Sequence, residues 1–438
     1  MTDTIEKALD SLPLVAPAAT ADVEVNRARF YRRNFLALAG DYILFGVAFA
    51  ILSPRVLPPN FVDQLTGDPV LVGLAGLLFS VVWMMPQLLF APYVNRAARK
   101  KPYITIPAFP ARVIFIPVGL LMIAIGPDNA GLLILVFLSG YVALAVGDGC
   151  SVIPWMDILG SSLNNRLRGR LFAWSQAATG VLVTLIAVPL VRHILGPEGP
   201  AFPNNYALLM VVVGVLLTLA LASFVLTREG HSPPPQDSPG LREYGPFLVR
   251  LLREDAGFRR YLLARFAYDL IRIAEPFYIV YATSVIGQED AVAVSDEILL
   301  ATLTGVVAAL IMGQLNAKRG PRDVVRLATS AALIAPLLAL SGRIVGPVAI
   351  HLTWIALSLA GTAFVPGFLN WVVEYAPPGY RPIYSGMANT FSIAALLSPL
   401  IGGLIVAQFS YDVLFVVAAL IGAVAMLLVW RLPKPGAA

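Results

Sequence analysis

Four ionisable residues, Arg265, Asp269, Arg272 and Glu275, stand inside the otherwise apolar run RFAYDLIRIAEPFY at 265–278. Read as a helix at about 100° per residue, they fall on one arc of roughly 120°. Acids and bases at three- and four-residue spacing can neutralise one another along that face, Arg265 with Asp269 and Arg272 with Asp269 or Glu275. The same groups can hold a proton or a charged solute. If the run crosses a membrane, the arc cannot face lipid and must face other helices or a water-filled cavity.

Three more charges, Asp41, Arg112 and Asp148, lie within apolar runs. At 1.5 Å of rise per residue, Asp41, Asp148 and Asp269 sit about 12 Å in from one end of their helices, and Arg112, Arg272 and Glu275 nearer the middle. Each charge costs at least ~2.5–3.5 kcal/mol at the centre of a membrane helix, so pairing or hydration is required. Asp41 and Asp148 have no cation close in sequence. At least one of them is expected to exchange a proton; the alternative is a salt bridge to Arg112.

The elements that must position these groups are long and apolar. The chain of 438 residues is 58% hydrophobic and 13% charged, with a mean hydropathy of +0.78, whereas a soluble domain is about a quarter charged. Roughly 20 apolar residues cross the hydrocarbon. Twelve such runs are predicted, at 34–57, 70–94, 103–125, 131–156, 170–195, 205–227, 260–286, 297–316, 324–345, 347–375, 384–408 and 411–431. The ninth and tenth are separated only by SGRIVGP at 341–347. Between crossings, 25 Lys and Arg residues fall on one side and only Arg55, Arg192 and Arg343 on the other. The bias puts both termini in the cytoplasm and the chain in the cell membrane.

Residues 1–30 are expected to be a disordered tail, because they lack the apolar core of a signal peptide. Two six-run halves, 31–228 and 259–432, flank a Pro- and Ser-rich cytoplasmic linker at 229–258, with a short tail at 433–438. A single cysteine, Cys150, and three scattered histidines leave no basis for a disulfide, a metal site or a bound cofactor. HExxH, GxSxG and GxxxxGK[ST] are absent, so neither an enzyme nor a nucleotide-driven pump is indicated, and nothing points to nucleic acid.

The halves echo one another. RRNFLALAGDY (32–42) answers RRYLLARFAYD (259–269), and PWMDILGSSLNNRLRGRLFAW (154–174) answers NWVVEYAPPGYRPIYSGM (370–387). APYVNRAARKK (91–101) answers GQLNAKRGPRD (313–323). The last pair resembles the G-x-L-A-D-R-x-G-R-K-K loop of the major facilitator superfamily. Arg96, Arg99, Lys100 and Lys101 match its basic positions, and Gly313, Leu315, Lys318, Gly320 and Arg322 match the second copy. Asn95 and Ala317 stand where the pattern has Asp, and Ala91 and Ala98 replace its glycines. The RGRLFAW and RPIYSG loops resemble a bacterial branch of unassigned substrate.

The resemblance implies an all-α membrane protein with twelve transmembrane helices in two pseudo-symmetric six-helix bundles, whose first, fourth, seventh and tenth helices line a cavity. It implies a monomeric carrier in the lipid bilayer that moves a small-molecule solute by alternating access. Protons are the expected coupling ion. Candidate solute or proton sites are Asp41, Tyr42, Arg112, Asp148, Arg265, Asp269, Arg272, Glu275 and Tyr278, with Tyr268, Tyr281, Phe45, Trp83 and Gln87 as neighbours. Candidate gate residues on the cytoplasmic side are Asn95, Arg96, Arg99, Asp157, Lys318, Arg319 and Glu374, with Arg96–Asp157 and Lys318–Glu374 as the pairs. The arginines favour an anionic or zwitterionic solute; the carboxylates and aromatics favour proton-driven efflux of amphipathic cations. Helix five carries only Gly180 and Pro189 of the G-P-x-x-G-G element found in antiporter branches, which weakens the efflux alternative. A channel or a non-transporting membrane protein is the remote alternative.

Overall fold

The computed structural model describes residues 17–96, 99–163, 165–229, 252–376 and 381–435, and among them every regular element is helical. Twelve crossings are formed. In the first half these are α1 (Pro17–Leu52), α2 (Pro69–Arg96), α3 (Pro102–Val113 continued by Phe115–Ile125), α4 (Ala130–Ser162), α5 (Asn165–Leu182 continued to Leu195) and α6 (Asn204–Val225). In the second half they are α7 (Ala256–Leu270 continued to Val285), α8 (Asp290–Arg319), α9 (Pro321–Leu340), α10 (Pro347–Thr362 continued to Tyr375), α11 (Arg381–Leu396 and Ser398–Gln408) and α12 (Tyr411–Trp430).

Eleven of these are long and apolar enough to cross a membrane by composition alone. The exception is α7, which carries the four charges and a local break. Pro276 has no N–H for the carbonyl of Arg272. The turn Ile271–Ala274 tightens into a 3₁₀ helix, and Glu275 N–H bonds to Arg272 O at 3.0 Å instead. Arg272 and Glu275 therefore flank an irregular turn, where a charged pair is positioned by a backbone fault rather than by a continuous helix face.

Three ends differ from the sequence expectation. Helix α1 starts at Pro17, inside the stretch expected to be a disordered tail. It stops at Leu52 rather than 57, because the chain turns through Ser53, whose φ is +28°. A short helix, Leu57–Thr66, follows. Helix α7 starts at Ala256, three residues into the expected linker, where the Asp255 side chain accepts from Phe258 N–H at 2.8 Å and caps it.

The packing repeats between the halves. α1 packs on α6, α2 on α4, α3 on α4 and α6; six helices later, α7 packs on α12, α8 on α10, α9 on α10 and α12. The contacts between halves, α2 with α11 and α5 with α8, exchange under the same operation. Leucines such as Leu120, Leu135, Leu185, Leu310 and Leu420 are exposed around the perimeter, as a lipid-facing belt requires.

The halves meet most tightly at the end away from the chain termini. A Cβ at Gly73 would come within 2.3 Å of Pro399 O, one at Gly76 within 2.3 Å of Pro276 Cγ, and one at Gly403 within 2.5 Å of Pro69 O. Small residues let the backbones approach this closely. Gly73→Leu is expected to hold the halves apart, since inserting side-chain volume into such a contact typically costs about 1–3 kcal/mol. A cysteine placed at Ser53 should then be alkylated about tenfold faster than in the unsubstituted background; an unchanged rate would show that this contact does not hold the closure.

Candidate functional site

Two charged clusters occupy the interior. In the first half, Arg112 Nη1 of α3 donates to Asp41 Oδ1 of α1 at 2.8 Å, and Trp155 Nε1 of α4 donates to Asp41 Oδ2 at 3.0 Å. The Arg112 guanidinium lies 5.0 Å from the Phe45 ring centroid. Both partners are buried, so the pair closes its charge internally. Asp148 of α4 accepts from Trp83 Nε1 of α2 at 2.8 Å. Among the described residues no ion pair is formed by Asp148. Tyr42 points elsewhere, donating to Gln176 at 3.1 Å on α5.

The second cluster runs along α7 as two separate pairs. Arg265 Nε donates to Asp269 Oδ2 at 2.6 Å, and both residues are buried. Its guanidinium sits 4.9 Å from the centroid of Phe364 and 4.6 Å from that of Phe368, both on α10. Arg272 Nε donates to Glu275 Oε2 at 2.7 Å, so Arg272 takes Glu275 rather than Asp269. Arg272 Nη2 also reaches Ser80 Oγ of α2, at 3.3 Å, across the halves.

Glu275 has a second cation that the sequence reading placed only among loop charges. Arg55, just past the end of α1, brings Nη1 to 2.8 Å from Glu275 Oε1. A Cβ at Gly361 of α10 would lie 3.7 Å from the same nitrogen. Arg55 thus enters the second half between α7 and α10, and Glu275 is shared by one arginine from each half. Periodicity could not find this contact, because it joins residues 220 positions apart through tertiary packing; the one available signal was that cations are scarce on that side.

A cavity of about 150 Å³ opens here, lined by Arg55, the four charges of α7, Tyr268 and Ile271, by Ala332 of α9, and by Leu357, Ala360, Gly361, Phe364 and Phe368 of α10. Tyr268 donates to Ala360 O at 2.9 Å and is thereby fixed as wall. Tyr278 is not part of the cavity. It is 1% exposed, stacked 5.1 Å from Phe415 and set edge-on to Trp354 at 6.2 Å. Asp41, Arg112 and Asp148 are likewise outside its lining.

The three cations opposite the basic end all find acids. Besides Arg55, Arg192 Nη2 of α5 meets Asp296 Oδ1 of α8 at 2.6 Å, and Arg343 meets Asp412 at 3.3 Å. Asp296 Oδ2 is also 3.1 Å from His351 Nε2. Ser53 Oγ donates to Glu297 Oε2 of α8 at 3.1 Å, and Ser284 Oγ to Asp63 Oδ2 at 3.1 Å. Among the described residues, the polar contacts between halves are Arg55–Glu275, Arg192–Asp296, Arg192–Ser295 at 3.1 Å, Ser53–Glu297, Ser284–Asp63 and Arg272–Ser80, so the two halves are latched at mid-depth and at the end away from the termini.

At the basic end, of the two expected gate pairs only Lys318–Glu374 falls on described side chains. The side chains of Asn95 and Arg96 lie outside the described residues, as does that of Gln87. Lys100 approaches Asp157, at 3.9 Å, and burial pushes the Lys100 ammonium below its ordinary value against the pull of Asp157 and Glu229. Arg99 and Arg319 are exposed. Lys318 and Glu374 form no ion pair among the described residues; Glu374 accepts from Asn370 at 3.1 Å. The loop cations instead cap helix ends. Lys101 Nζ donates to Val225 O at 2.5 Å and Thr227 O at 2.9 Å at the end of α6. Arg326 donates to Trp430 O at 3.1 Å and Arg322 to Leu432 O at 3.4 Å at the end of α12. Cations at helix C-termini complement the exposed carbonyls there.

A Major Facilitator Superfamily model matches residues 261–438. Among curated proteins none matches. Among solved structures, a D-xylose-proton symporter superposes with a TM-score of 0.71 at 15% identity, over 93% of this chain and 99% of that one. A mutant of the nucleoside transporter NupG gives 0.68 at 11% identity, over 93% of this chain and 100% of that one. A POT family transporter in complex with 5-aminolevulinic acid gives 0.64 at 13% identity, over 92% of this chain and 95% of that one. At these identities the likeness is one of fold.

Proposed function

We propose that this chain is a member of the major facilitator superfamily, whose model matches residues 261–438 and whose fold it shares along nearly its whole length, and that it is a proton-coupled secondary active transporter of a small solute. The observation that carries the reading is Glu275, buried between an arginine of its own helix and an arginine of the other half. A charge shared across the interface between two bundles is a contact that one arrangement of the bundles makes and another must break. With both termini in the cytoplasm, as the loop charges argue, the latched end is the outer one and the arrangement is inward-facing.

Asp148 is the carboxylate best suited to carry the proton. Protonating Asp41 would strand the buried Arg112, whereas Asp148 accepts a single Trp83 hydrogen bond and can be neutralised without leaving a cation unpaired. Symport with a proton is named for one structural neighbour, the D-xylose-proton symporter, and supports this coupling by analogy of fold. In proteoliposomes with an imposed pH gradient, a candidate solute is expected to accumulate saturably. Asp148→Asn should abolish accumulation while leaving solute-for-solute exchange in place. Linear, non-saturable flux would point to a channel, and pH-driven accumulation by Asp148→Asn at the unsubstituted rate would remove Asp148 from the coupling.

A further inference from the structure

We propose that the cavity beside α7 and α10 takes a small organic monoanion, with Arg55 as the cation that receives its carboxylate. The inference rests on the transporter reading for its biological meaning but not for its physics. Three cations line the cavity, Arg55, Arg265 and Arg272, against two carboxylates, Asp269 and Glu275. The carboxylates are both engaged: Asp269 by Arg265, and Glu275 by Arg272 through one oxygen and by Arg55 through the other. One positive charge is left over.

Exposure locates it. The side chains of Arg265 and Asp269 are 9% and 4% exposed, and that of Arg272 26%, while that of Arg55 is 49% exposed. Arg55 has the most guanidinium surface to offer a ligand, and its fork can hold a carboxylate through two N–H groups. Glycine at 361 leaves space beside it. A further acid, Glu297, lies outside the cavity lining and accepts from Ser53.

The remaining wall is apolar, built from Leu357, Phe364, Phe368 and Ala332. The volume, about 150 Å³, is that of a cavity able to hold benzene. The fitting ligand is therefore one negative group on an apolar body no larger than about a benzene ring. A dianion would leave a net negative charge in a partly desolvated site, and a cation would add to the excess positive charge. A carboxylate on Arg55 also competes with Glu275, so binding loosens one of the contacts that join the halves.

The test is equilibrium binding to the purified full-length protein, with radiolabelled benzoate as probe and benzamide, benzylamine and inorganic sulfate as competitors. Benzoate is expected to bind saturably, and the isosteric neutral benzamide to compete at least about tenfold more weakly, as losing a charge-assisted hydrogen bond implies. Arg55→Gln should weaken benzoate about tenfold or more, and Arg55→Lys less. Arg192→Gln cuts a different contact between the halves and should leave benzoate affinity within about twofold, which separates binding from latching. Absence of benzoate binding, equal competition by benzamide, or unchanged affinity in Arg55→Gln would each overturn the proposal. Saturable transport of a cation or a neutral solute without benzoate binding would overturn it and leave the transporter reading standing. Benzoate binding without any transport would do the reverse.

Discussion

Asp41→Asn is expected to be the most destabilising single substitution in the first half. It removes the carboxylate that Arg112 meets at 2.8 Å and leaves a guanidinium, 5% exposed, among α1, α3 and α4. Removing one partner of a buried pair costs about 3–5 kcal/mol, because the surviving charge is left without compensation. Much of that loss should return in the double variant Asp41→Asn, Arg112→Gln, which carries no net buried charge. The cation–π contact of Arg112 with Phe45 and the Trp155 hydrogen bond also change, so the recovery is expected to be partial. Thermal melts of the four proteins in one detergent would give the coupling, expected to exceed about 2 kcal/mol. A single substitution that melts like the unsubstituted protein would mean that Arg112 finds another partner. The double variant is also expected to retain pH-driven accumulation, since Asp148 is assigned the proton.

Glu275→Gln is expected to move the conformational equilibrium more than any other single change. Both carboxylate oxygens are occupied, by Arg272 at 2.7 Å and Arg55 at 2.8 Å, and the second contact joins the halves. Truncating one member of a buried, hydrogen-bonded charge pair typically costs about 2–5 kcal/mol. Arg55 is half-exposed and regains water, which lowers the share that falls on the latch to about 1–3 kcal/mol. Such a shift raises the population open at the latched end by about 5- to 150-fold. Spin labels at Asp128→Cys and Glu289→Cys, on the loops at that end of the two halves, should report a longer distance population in Glu275→Gln. Gly73→Leu should shift the same distribution by a purely steric route. An unchanged distribution in Glu275→Gln would make Arg192–Asp296 and the glycine contacts sufficient for closure. Solute exchange should fall in the same variant, because Arg272 and Arg55 are then both without their acid.

The charged arc of α7 was legible from spacing, but its division was not. Four residues on one helix face allow Arg272 to choose between Asp269 and Glu275, and the 3₁₀ turn forced by Pro276 decides for Glu275. The loop cations were legible as markers of sidedness. Their contacts were not, because Lys101 and Arg326 bond to carbonyls of α6 and α12 that are distant in sequence. Tyr278 was read as a cavity residue from its place beside the charges; the helix turn it occupies faces Phe415 and Trp354 instead. Asp41 and Arg112 could be suspected of pairing only because each needed a partner.

What the sequence by itself determined is what depends on local composition: the apolar lengths that make twelve crossings, the lysines and arginines that gather at one end of them, and the internal echo that makes two similar halves. Each follows from the cost of placing polar groups in hydrocarbon, which acts on every segment separately. The tertiary structure decided which charges meet. Arg55 was a loop residue until packing brought it against Glu275, and Asp148 could not be distinguished from Asp41 until Arg112 was seen to engage only one of them. Ion pairing across helices depends on distances of a few ångströms between residues far apart in the chain, and those distances are set only when the helices pack together.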